Sequence, residues 1–195
     1  MTRRYEMASR TQAMKATRER ILDAAADLFE PVWFDEVTLA DVARSAGVSQ
    51  QTVVNHFGSK IGLYLTGMHE RFGPRVAQLR EGVVPGDVGS AVDVVLTDYE
   101  VTGDGAWRTS VLADRVPELR EVVDGGHAFH RDYVERAFAP QLARRRGARR
   151  ERLVVLLGSV LDVAMWKRLR RDLGLDREAT AAHLRLLVEG VLEAG

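Results

Sequence analysis

Apolar residues recur at helical spacing along almost the whole chain, and no alternating run long enough for a β-strand interrupts them. From Ile21 onwards, for example, apolar positions follow the offsets i, i+1, i+4, i+7 and i+8. Such spacing is typical of a helix that buries one face, whereas a half-buried strand requires strict alternation. The pattern predicts an all-α protein of about nine helices.

Glycine, proline and capping residues divide the pattern into elements. The first helix is predicted to begin near Thr17 and to end at Pro31, and a short second helix is predicted between Thr38 and Gly47. A third short helix follows, and longer elements start at Lys60. The chain therefore divides into a set of short N-terminal helices and a larger set of long helices.

Glycine, proline and capping residues later in the chain predict where the long helices begin and end. Gly103 and Gly105 predict the end of one helix, with a separate short helix over residues 107–114. Pro117 suits the first turn of the next long helix, and Asp176 is placed to cap the last one. The C-terminal region is thus expected to be a bundle of helices.

Composition narrows the function classes. Among 195 residues, 28 Lys and Arg balance 28 Asp and Glu, so the net charge gives no sign of a polyanion binder. The absence of cysteine excludes disulfides and cysteine-based zinc sites. No apolar run reaches the roughly 18 residues of a membrane span, and no signal peptide is recognisable, so a cytoplasmic protein is expected.

Charge is nevertheless uneven at the N-terminus. Residues 1–20 hold only two acidic residues, Glu6 and Glu19. The basic residues of the same stretch are Arg3, Arg4, Arg10, Lys15, Arg18 and Arg20. We predict that residues 1–15 form a flexible basic arm, which either contacts phosphates or is simply solvated.

Residues 38–57 have the organisation of a helix-turn-helix. A short helix precedes a tight turn at Gly47, which tolerates the left-handed backbone conformation, and a second short helix follows. Small apolar residues allow the two helices to cross closely, namely Val42, Ala43, Val48 and Val53. The spacing predicts that the second helix enters a DNA major groove.

The outward face of this second helix carries hydrogen-bonding groups without charge. At about 100° per residue, Gln51, Val54 and Asn55 project outwards, with Gln50 and Thr52 at the margins. Glutamine and asparagine amides can bridge N6 and N7 of adenine, and valine can contact the thymine methyl group. Plain exposure to solvent is the alternative interpretation. Phosphate contacts are expected from the arm, the helix N-termini, Arg44, Thr52 and Lys60.

At these residues the sequence resembles the TetR-type one-component transcriptional regulators. The resemblance rests on ILDAAADLF at 21–29, AGVS at 46–49, Thr52 and HFGSK at 56–60, in the order and spacing of the family. It implies that Thr38 caps the first helix of the motif and that Lys60 contacts phosphate. It also implies a recognition helix that carries or adjoins Ser49, Gln50, Gln51, Thr52, Val54, Asn55 and His56.

The sequence departs from the family at two places. Val54 stands where the family usually has a tyrosine in the recognition helix, so one hydrogen bond to DNA is lost. Trp33 stands where the family usually has a glycine in the turn after the first helix. We therefore expect that turn to be built differently.

The resemblance further implies a homodimer that places two recognition helices on a pseudo-palindromic operator in double-stranded DNA. A small molecule bound in the C-terminal domain changes their separation, which usually releases a repressor. Residues 16–64 are then the DNA-binding domain, and residues 65–195 the ligand-binding and dimerisation domain. No cofactor, metal or membrane is implied.

The C-terminal region holds aromatic and apolar residues suited to a mainly apolar ligand. The predicted ligand-binding residues are Leu96, Tyr99, Trp107, Leu112, His127, Phe129, Tyr133, Met165 and Trp166. Arg108 and His130 are further polar candidates. His127 and His130 are spaced i, i+3, but no third metal ligand is evident, so ordinary core or surface histidines are favoured.

Two apolar stripes near the C-terminus predict a two-fold helical interface between two chains. The predicted dimerisation residues are Leu157, Leu161, Ala164, Leu184, Leu187, Val188 and Val191. A buried hairpin within one chain is the alternative.

The sequence contains no P-loop, no dinucleotide-binding glycine motif, no HExxH and no GxSxG elbow, which disfavours an enzyme. Two alternatives stay open beside the ligand-responsive regulator. One is a helical ligand carrier or enzyme whose N-terminal helices serve only packing. The other is a helix-turn-helix regulator without an effector, in which the C-terminal helices only dimerise.

Overall fold

The computed structural model describes the backbone of residues 2–195 and the side chains from residue 9 onwards. The chain folds into two compact units, Met1–Pro74 and Arg75–Gly195. The described residues form α-helices with short 3-10 and π segments and contain no β-strand, which confirms the predicted all-α class. None of the described helices is long and apolar enough to cross a membrane.

The first unit contains four helices and a π-helical segment. Its helices are α1 (Thr2–Phe29), α2 (Leu39–Ala46), α3 (Gln50–Phe57) and α4 (Lys60–Gly67), followed by a π-helical segment (Met68–Phe72). Its core consists of almost fully buried apolar side chains from all four helices, among them Ile21, Leu22, Val42, Val53 and Leu63. The core therefore supports α2 and α3 from behind.

Helix α1 is longer than the sequence predicted. It begins at Thr2 and not near Thr17, so the described part of the predicted flexible arm, residues 9–15, is helical and exposed. This stretch has no proline or glycine and includes good helix formers such as Ala13 and Lys15, so the helix extends beyond its buried part. The predicted phosphate contacts of the first eight residues lie outside the described side chains.

The boundary between the two units lies later in the chain than residue 64, where the sequence predicted it. Ion pairs hold the π-helical segment against α1: Arg18 donates two hydrogen bonds to Glu70, and Arg71 pairs with Glu19. Each partly exposed pair contributes modest free energy, but together the pairs tie the segment to the first unit.

The second unit begins at Arg75 and contains most of α5 and all of the later helices. These are α5 (Gly73–Arg80), α6 (Val88–Leu112), α7 (Arg120–Ala137), α8 (Ala139–Leu142), α9 (Gly147–Val160), α10 (Val163–Lys167) and α11 (Arg177–Ala194). A 3-10 turn (Pro117–Leu119) leads into α7, and a π-helical segment (Arg168–Asp172) follows α10. A continuous apolar core joins α6, α7, α9, α10 and α11.

Helix α6 runs unbroken from Val88 to Leu112, although the sequence predicted that Gly103 and Gly105 end a helix. Gly103 serves packing: a Cβ at this position would lie 2.5 Å from a ring carbon of Trp166. The glycine thus permits close approach of α6 and α10 within a continuous helix. The predicted separate helix after residue 107 is the last part of α6.

Two aspartates cap the C-terminal helices. Asp162 accepts a hydrogen bond from the N–H of Ala164 at 2.8 Å, so α10 starts anew after α9 ends at Val160. Asp176 caps α11 as predicted, because its carboxylate accepts from the N–H of Ala179 at 2.7 Å. Helices α9 and α10 are therefore separate elements, divided at Leu161 and Asp162.

Candidate functional site

Helix α2 begins at a reciprocal cap. The N–H of Asp41 donates to the Thr38 hydroxyl, and the N–H of Thr38 donates to the Asp41 carboxylate, each at 3.1 Å. Hydrogen bonds from the Thr38 hydroxyl and N–H lower the pKa of Asp41, so its charge is retained at a helix N-terminus. Thr38 is the predicted N-cap, and the exposed Arg44 pairs with Asp41 at 3.1 Å.

Gly47 forms the turn between α2 and α3 in the left-handed conformation, with φ 66° and ψ 40°. The N–H groups of Gly47 and Val48 donate hydrogen bonds to the carbonyl oxygen of Ala43. Glycine adopts this conformation at little cost, whereas a side chain would be strained there. Val42 and Val53 are fully buried behind the turn, so the two helices are held in the predicted contact.

The first turn of α3 is capped by Ser49, whose hydroxyl group also contacts that of Thr52. Oγ of Ser49 accepts from the N–H of Thr52 at 3.1 Å, and the hydroxyls of these two residues lie 2.8 Å apart. Both groups already have partners in the free protein. A phosphate contact by Thr52 has to share its hydroxyl with the cap.

The exposed face of α3 carries Gln50, Gln51 and Asn55, with Val54 and His56 half-buried beside them. The side-chain nitrogen of Gln51 donates to the side-chain oxygen of Asn55 at 2.9 Å. The face is therefore neutral and offers amide donors and acceptors, the groups that read base edges in a major groove.

Lys60 is engaged inside the first unit. Its Nζ donates to the carbonyl oxygens of Phe34 and Val37 at 2.9 and 3.0 Å, and lies 4.2 Å from the centroid of the Phe34 ring. Partial burial lowers the pKa of Lys60. One of its three N–H donors is left for another acceptor such as phosphate. No local pattern around Lys60 indicates this anchoring role.

The turn after α1 accommodates Trp33 without left-handed backbone. Trp33 has φ −72°, and its N–H donates to the Glu36 carboxylate at 2.8 Å, which opens a 3-10 turn (Phe34–Glu36). Phe34 packs against the rings of Phe29 and Tyr64. An extended residue at this point needs no glycine, which accounts for the departure from the family pattern.

Most residues predicted to bind a ligand belong to the second unit's core. Leu96, Tyr99, Leu112, Tyr133 and Trp166 are buried, Trp107, Phe129 and Met165 are half-buried, and His127 is exposed. Two buried aromatics use their polar atoms within the chain. The Tyr133 hydroxyl donates to the carbonyl of Ala91 at 2.6 Å, and Nε1 of Trp166 donates to Glu100 at 3.2 Å. These side chains hold the fold together.

A buried ionic network lies in the core of the second unit, although the apolar spacing of the sequence did not indicate it. Nε of Arg80, the last residue of α5, donates to the Asp98 carboxylate of α6 at 2.6 Å, and both side chains are at most 4% exposed. Nη1 of Arg80 lies 3.0 Å from Nδ1 of His130 on α7. The guanidinium carbon is 5.2 Å from the ring centroid of Tyr99 and 5.0 Å from that of Tyr133.

Contact with Arg80 fixes the tautomer of His130. A guanidinium has only donors, so Nδ1 of His130 accepts, and Nε2–H donates to the carbonyl of Gly158 at 3.1 Å. Burial, with the nearby charge of Arg80, lowers the pKa of His130 to about 4, so the imidazole is uncharged at neutral pH. This histidine therefore connects α7 with α9 and, through Arg80, with the end of α5.

A cleft of about 650 Å³ lies between α7 and the segment formed by α9 and α10. Its lining includes His127 and Met165 of the predicted ligand set, together with His130 and Arg168. The volume is in the range of small-molecule sites. Within the described part of the chain, no three residues are grouped as metal ligands.

The predicted dimerisation residues fall into two groups. Leu157, Leu161, Leu184 and Val188 are at most 1% exposed and pack in the core of their own unit, so they are not free to contact a second chain. Ala164 and Leu187 are exposed, and Val191 is half-buried. The large apolar side chains exposed on α9 and α11 are Val155, Leu156, Leu186 and Leu187.

Comparison with known proteins identifies the first unit. Residues 21–66 match the family described as bacterial regulatory proteins, tetR family. AlkX, an HTH-type transcriptional regulator of Mycobacterium tuberculosis, is 35% identical over 82 residues, which are 42% of this chain and 38% of that protein. TtgW, an uncharacterized HTH-type transcriptional regulator of Pseudomonas putida, is 43% identical over 56 residues, 28% of this chain and 42% of that protein. The matches span less than half of either relative.

Solved structures share the fold over nearly the whole chain. A transcriptional regulator from Rhodococcus sp. Rha1 gives a TM-score of 0.71 at 20% identity and covers 91% of this chain and 96% of its own. NalD of Pseudomonas aeruginosa, the secondary repressor of the MexAB-OprM multidrug efflux pump, gives 0.59 at 23% identity, with 92% and 96% covered. At these identities the likeness establishes the fold alone.

Proposed function

We propose that this chain, whose residues 21–66 match the TetR family of DNA-binding transcriptional regulators, acts as a repressor. A homodimer binds a pseudo-palindromic operator in the cytoplasm, and a small molecule releases it. The family and the fold are those of regulators and not of enzymes.

The observation that carries the proposal is the exposed amide face of α3. Gln51 and Asn55 stand on the solvent side of a short helix that Gly47 and the buried Val53 hold in place. Such a helix fits the width of a major groove, and its amides match the donors and acceptors of base edges. Ordinary surface glutamines lack this fixed support.

Phosphate contacts surround this face in the proposal. Arg44 is exposed near the end of α2, and Lys60 keeps one free N–H donor at the start of α4. Arg10 and Lys15 are exposed on the N-terminal part of α1. These groups orient the protein without reading sequence, and they make its affinity dependent on salt.

The exposed apolar side chains of α9 and α11 support the homodimer. Val155, Leu156, Leu186 and Leu187 are each at least 42% exposed in the single chain. Apolar side chains gathered on adjacent helices favour an interface, because their burial removes apolar surface from water. Two copies of α9 and α11 then form a four-helix contact with two-fold symmetry.

Release by an effector requires different ligand affinity for the two states of the protein. A coupling free energy of about 1–3 kcal/mol changes operator affinity about 5- to 150-fold. NalD, which is a repressor, shares the fold of this chain, and this similarity supports a repressor role. The targets of NalD are not assigned to this chain.

A binding experiment tests the proposal. Fluorescence anisotropy with the chain's own upstream intergenic DNA, at low and raised salt, should give saturable binding that weakens steeply with salt. Gln51→Ala and Asn55→Ala should reduce the preference for this DNA over random duplex, while Gln78→Ala, an exposed glutamine outside α3, should not. If no duplex binds at either salt concentration, a helical ligand carrier is the better description.

A further inference from the structure

Six arginines lie within residues 144–152, where α8 is followed by a short loop and the start of α9, although the whole chain has no net charge. Glu151 is the one acidic residue among them. The arginines are Arg144, Arg145, Arg146, Arg149, Arg150 and Arg152. Such a local excess of positive charge in a neutral protein indicates a surface for an anionic partner.

The junction between α8 and α9 is fixed to the rest of the second unit. Nε of Arg145 donates to the carbonyl oxygen of Gly195 at 2.8 Å, and the side-chain nitrogen of Gln141 donates to the carbonyl oxygen of Gly86 at 2.9 Å. Leu142, just before the loop, is buried in the apolar core. The backbone that carries the arginines is therefore held in a defined position.

The acidic side chains that face α9 from α7, or lie on α9 itself, are already paired. Both carboxylate oxygens of Glu151 accept from Arg131, at 2.8 and 2.7 Å. Glu135 pairs with both Arg131 and Arg150, each at 3.1 Å. Near the end of α11, the exposed Glu193 makes no ion pair within the described part of the chain, and it offsets at most one positive charge.

The side chains of Arg144, Arg146 and Arg149, which we call the basic surface, are exposed. They form no hydrogen bond or ion pair with any residue whose side chain the structure describes. Three cations are thus left with their donors unused. A guanidinium binds the oxygens of a phosphate in a two-pronged geometry, which suits these side chains to a phosphate partner.

The surroundings of the basic surface favour a partner that is held by charge alone. Among the large apolar side chains that are exposed in the described chain, none lies between Val111 and Val155. A protein partner requires an apolar centre in its interface, and a helix that lies on a membrane requires an apolar face. Phosphate backbones, in contrast, are bound by arginines without apolar contact.

The start of α9 adds backbone donors to the arginines. Arg146 occupies the N-cap position of this 14-residue helix, and no side chain caps the first turn. The N–H groups of an uncapped first turn carry partial positive charge and point away from the helix. They support the same kind of ligand as the arginines, namely phosphate oxygens.

We propose that the basic surface binds the phosphate backbone of duplex DNA without reading its sequence, as a second DNA contact in addition to α3. The choice of duplex DNA rests on the proposed function, because a chain whose first unit binds DNA meets further duplex at high local concentration. A regulator on its operator then also holds a second segment of duplex. Arg152 is not included, since it lies one turn before Leu156 on the surface assigned to the homodimer.

A two-colour binding experiment tests this assignment on the full chain. The protein is first bound to one equivalent of labelled upstream intergenic DNA per homodimer, and a random-sequence duplex with a second label is then titrated at several salt concentrations. We expect the random duplex to join the complex. Arg146→Gln combined with Arg149→Gln should weaken this second binding about tenfold at low salt and reduce its log–log salt slope by about 1.8, because two charges are lost. Binding of the upstream DNA should change less than about twofold.

The matched control removes the same charge elsewhere in the second unit. Arg75 and Arg115 are exposed arginines outside α8 and α9, and Arg75→Gln combined with Arg115→Gln should leave the second binding unchanged. Circular dichroism and sedimentation confirm that both double variants keep their fold and assembly.

Three outcomes overturn the assignment. If the random duplex does not join the complex, no second contact exists, and an equal loss in both double variants assigns the effect to net charge. Binding that depends on Arg146 and Arg149 for polyglutamate, or for vesicles of phosphatidylserine and phosphatidylcholine, but not for duplex DNA, assigns the surface to another occupant.

The proposed function is judged separately, by the effect of Gln51→Ala and Asn55→Ala on the preference for upstream over random DNA. These two variants should keep the second binding. If the upstream DNA does not bind at all, the random duplex is titrated alone and the two double arginine variants are compared in the same way. The basic surface is therefore tested even where the proposed function fails.

Discussion

The side-chain amide of Gln51 donates a hydrogen bond to the side-chain carbonyl of Asn55, one turn further along α3 and 2.9 Å away. This bond leaves the oxygen of Gln51 as an outward acceptor and the NH₂ of Asn55 as an outward donor. In the proposed complex the two residues therefore present one combined pattern to DNA.

We expect Gln51 and Asn55 to be coupled in operator binding. Once either side chain is truncated, the other loses its fixed orientation, so the double variant should lose less binding free energy than the sum of the single losses. The coupling should be about 0.5–3 kcal/mol in a double-mutant cycle of alanine variants, measured by anisotropy. Gln50 with Asn55 is the control cycle, because Gln50 shares the exposed face without bonding to Asn55. Additive losses for Gln51 and Asn55 would contradict the coupling.

Protonation of His130 should destabilise the protein in mild acid. Its pKa of about 4 in the folded chain is below the ordinary value of 6.5, so the unfolded chain binds the proton more readily and stability falls as pH decreases from about 6.5 to about 4. Between pH 7 and pH 5 the free energy of unfolding should drop by about 2 kcal/mol from this residue, by urea titration.

Two histidine variants check the origin of that loss. His130→Gln should flatten the slope between pH 7 and pH 5, whereas His183→Gln, on the exposed side of α11, should keep it. Paired carboxylates such as Glu70, whose pKa is lowered below the ordinary 4.5, titrate below this window. An unchanged slope in His130→Gln would show that another group is responsible.

The two glycines of α6 should respond in opposite directions to alanine. Gly103→Ala places a Cβ 2.5 Å from Trp166 and should destabilise the fold by about 1–3 kcal/mol through overpacking. Gly105→Ala meets no atom within 4 Å and should stabilise by about 0.5–1 kcal/mol, because alanine favours helix. Urea unfolding of both variants measures the difference, and equal effects would contradict the packing role of Gly103.

A charge on the exposed apolar surface of α9 or α11 should dissociate the proposed homodimer. Val155→Glu and Leu186→Glu should each give a monomer in sedimentation experiments, because an unpaired carboxylate is costly in an apolar contact. Val84→Glu is the control, since Val84 is 56% exposed but lies outside these helices. Dimers that persist in both test variants would place the interface elsewhere.

Two lysines of the first unit should separate DNA contact from stability. Lys15→Met removes an exposed charge on α1, so it should reduce the salt dependence of DNA binding by about 0.9 in log–log slope and leave unfolding unchanged. Lys60→Met also removes the bonds to Phe34 and Val37, so it should lower the melting temperature as well. An unaltered salt slope in Lys15→Met would exclude α1 from the DNA contact.

Local signals explain why the helix-turn-helix was predictable. Thr38, Gly47 and Ser49 act within a few residues of themselves, as two caps and one left-handed turn, so their roles can be inferred from spacing alone. The TetR family match to this unit and the all-α class agree with that reasoning.

Other features depend on residues far apart in the chain. From the sequence alone, Gly103 is interpreted as the end of a helix, because its contact with Trp166 is not visible there. Asp98 lies within an apolar stripe, which indicates that it has a buried partner but does not identify Arg80 as that partner. Apolar periodicity likewise indicates the face that a helix buries within its own chain, so it predicted Leu157 and Leu184 as dimerisation residues. The apolar surface that is exposed to a second chain lies at neighbouring positions.

The ion pair of Arg80 and Asp98 constrains how this protein can evolve. Replacing either residue alone leaves the opposite charge unpaired in the core, which lowers the free energy of unfolding by about 3–5 kcal/mol. Replacing both residues by apolar ones is often neutral or favourable for stability. Descendants can leave this arrangement only through a strongly impaired intermediate or two simultaneous changes. Lineages of this chain are therefore expected to inherit both residues together, whatever ligand they come to recognise.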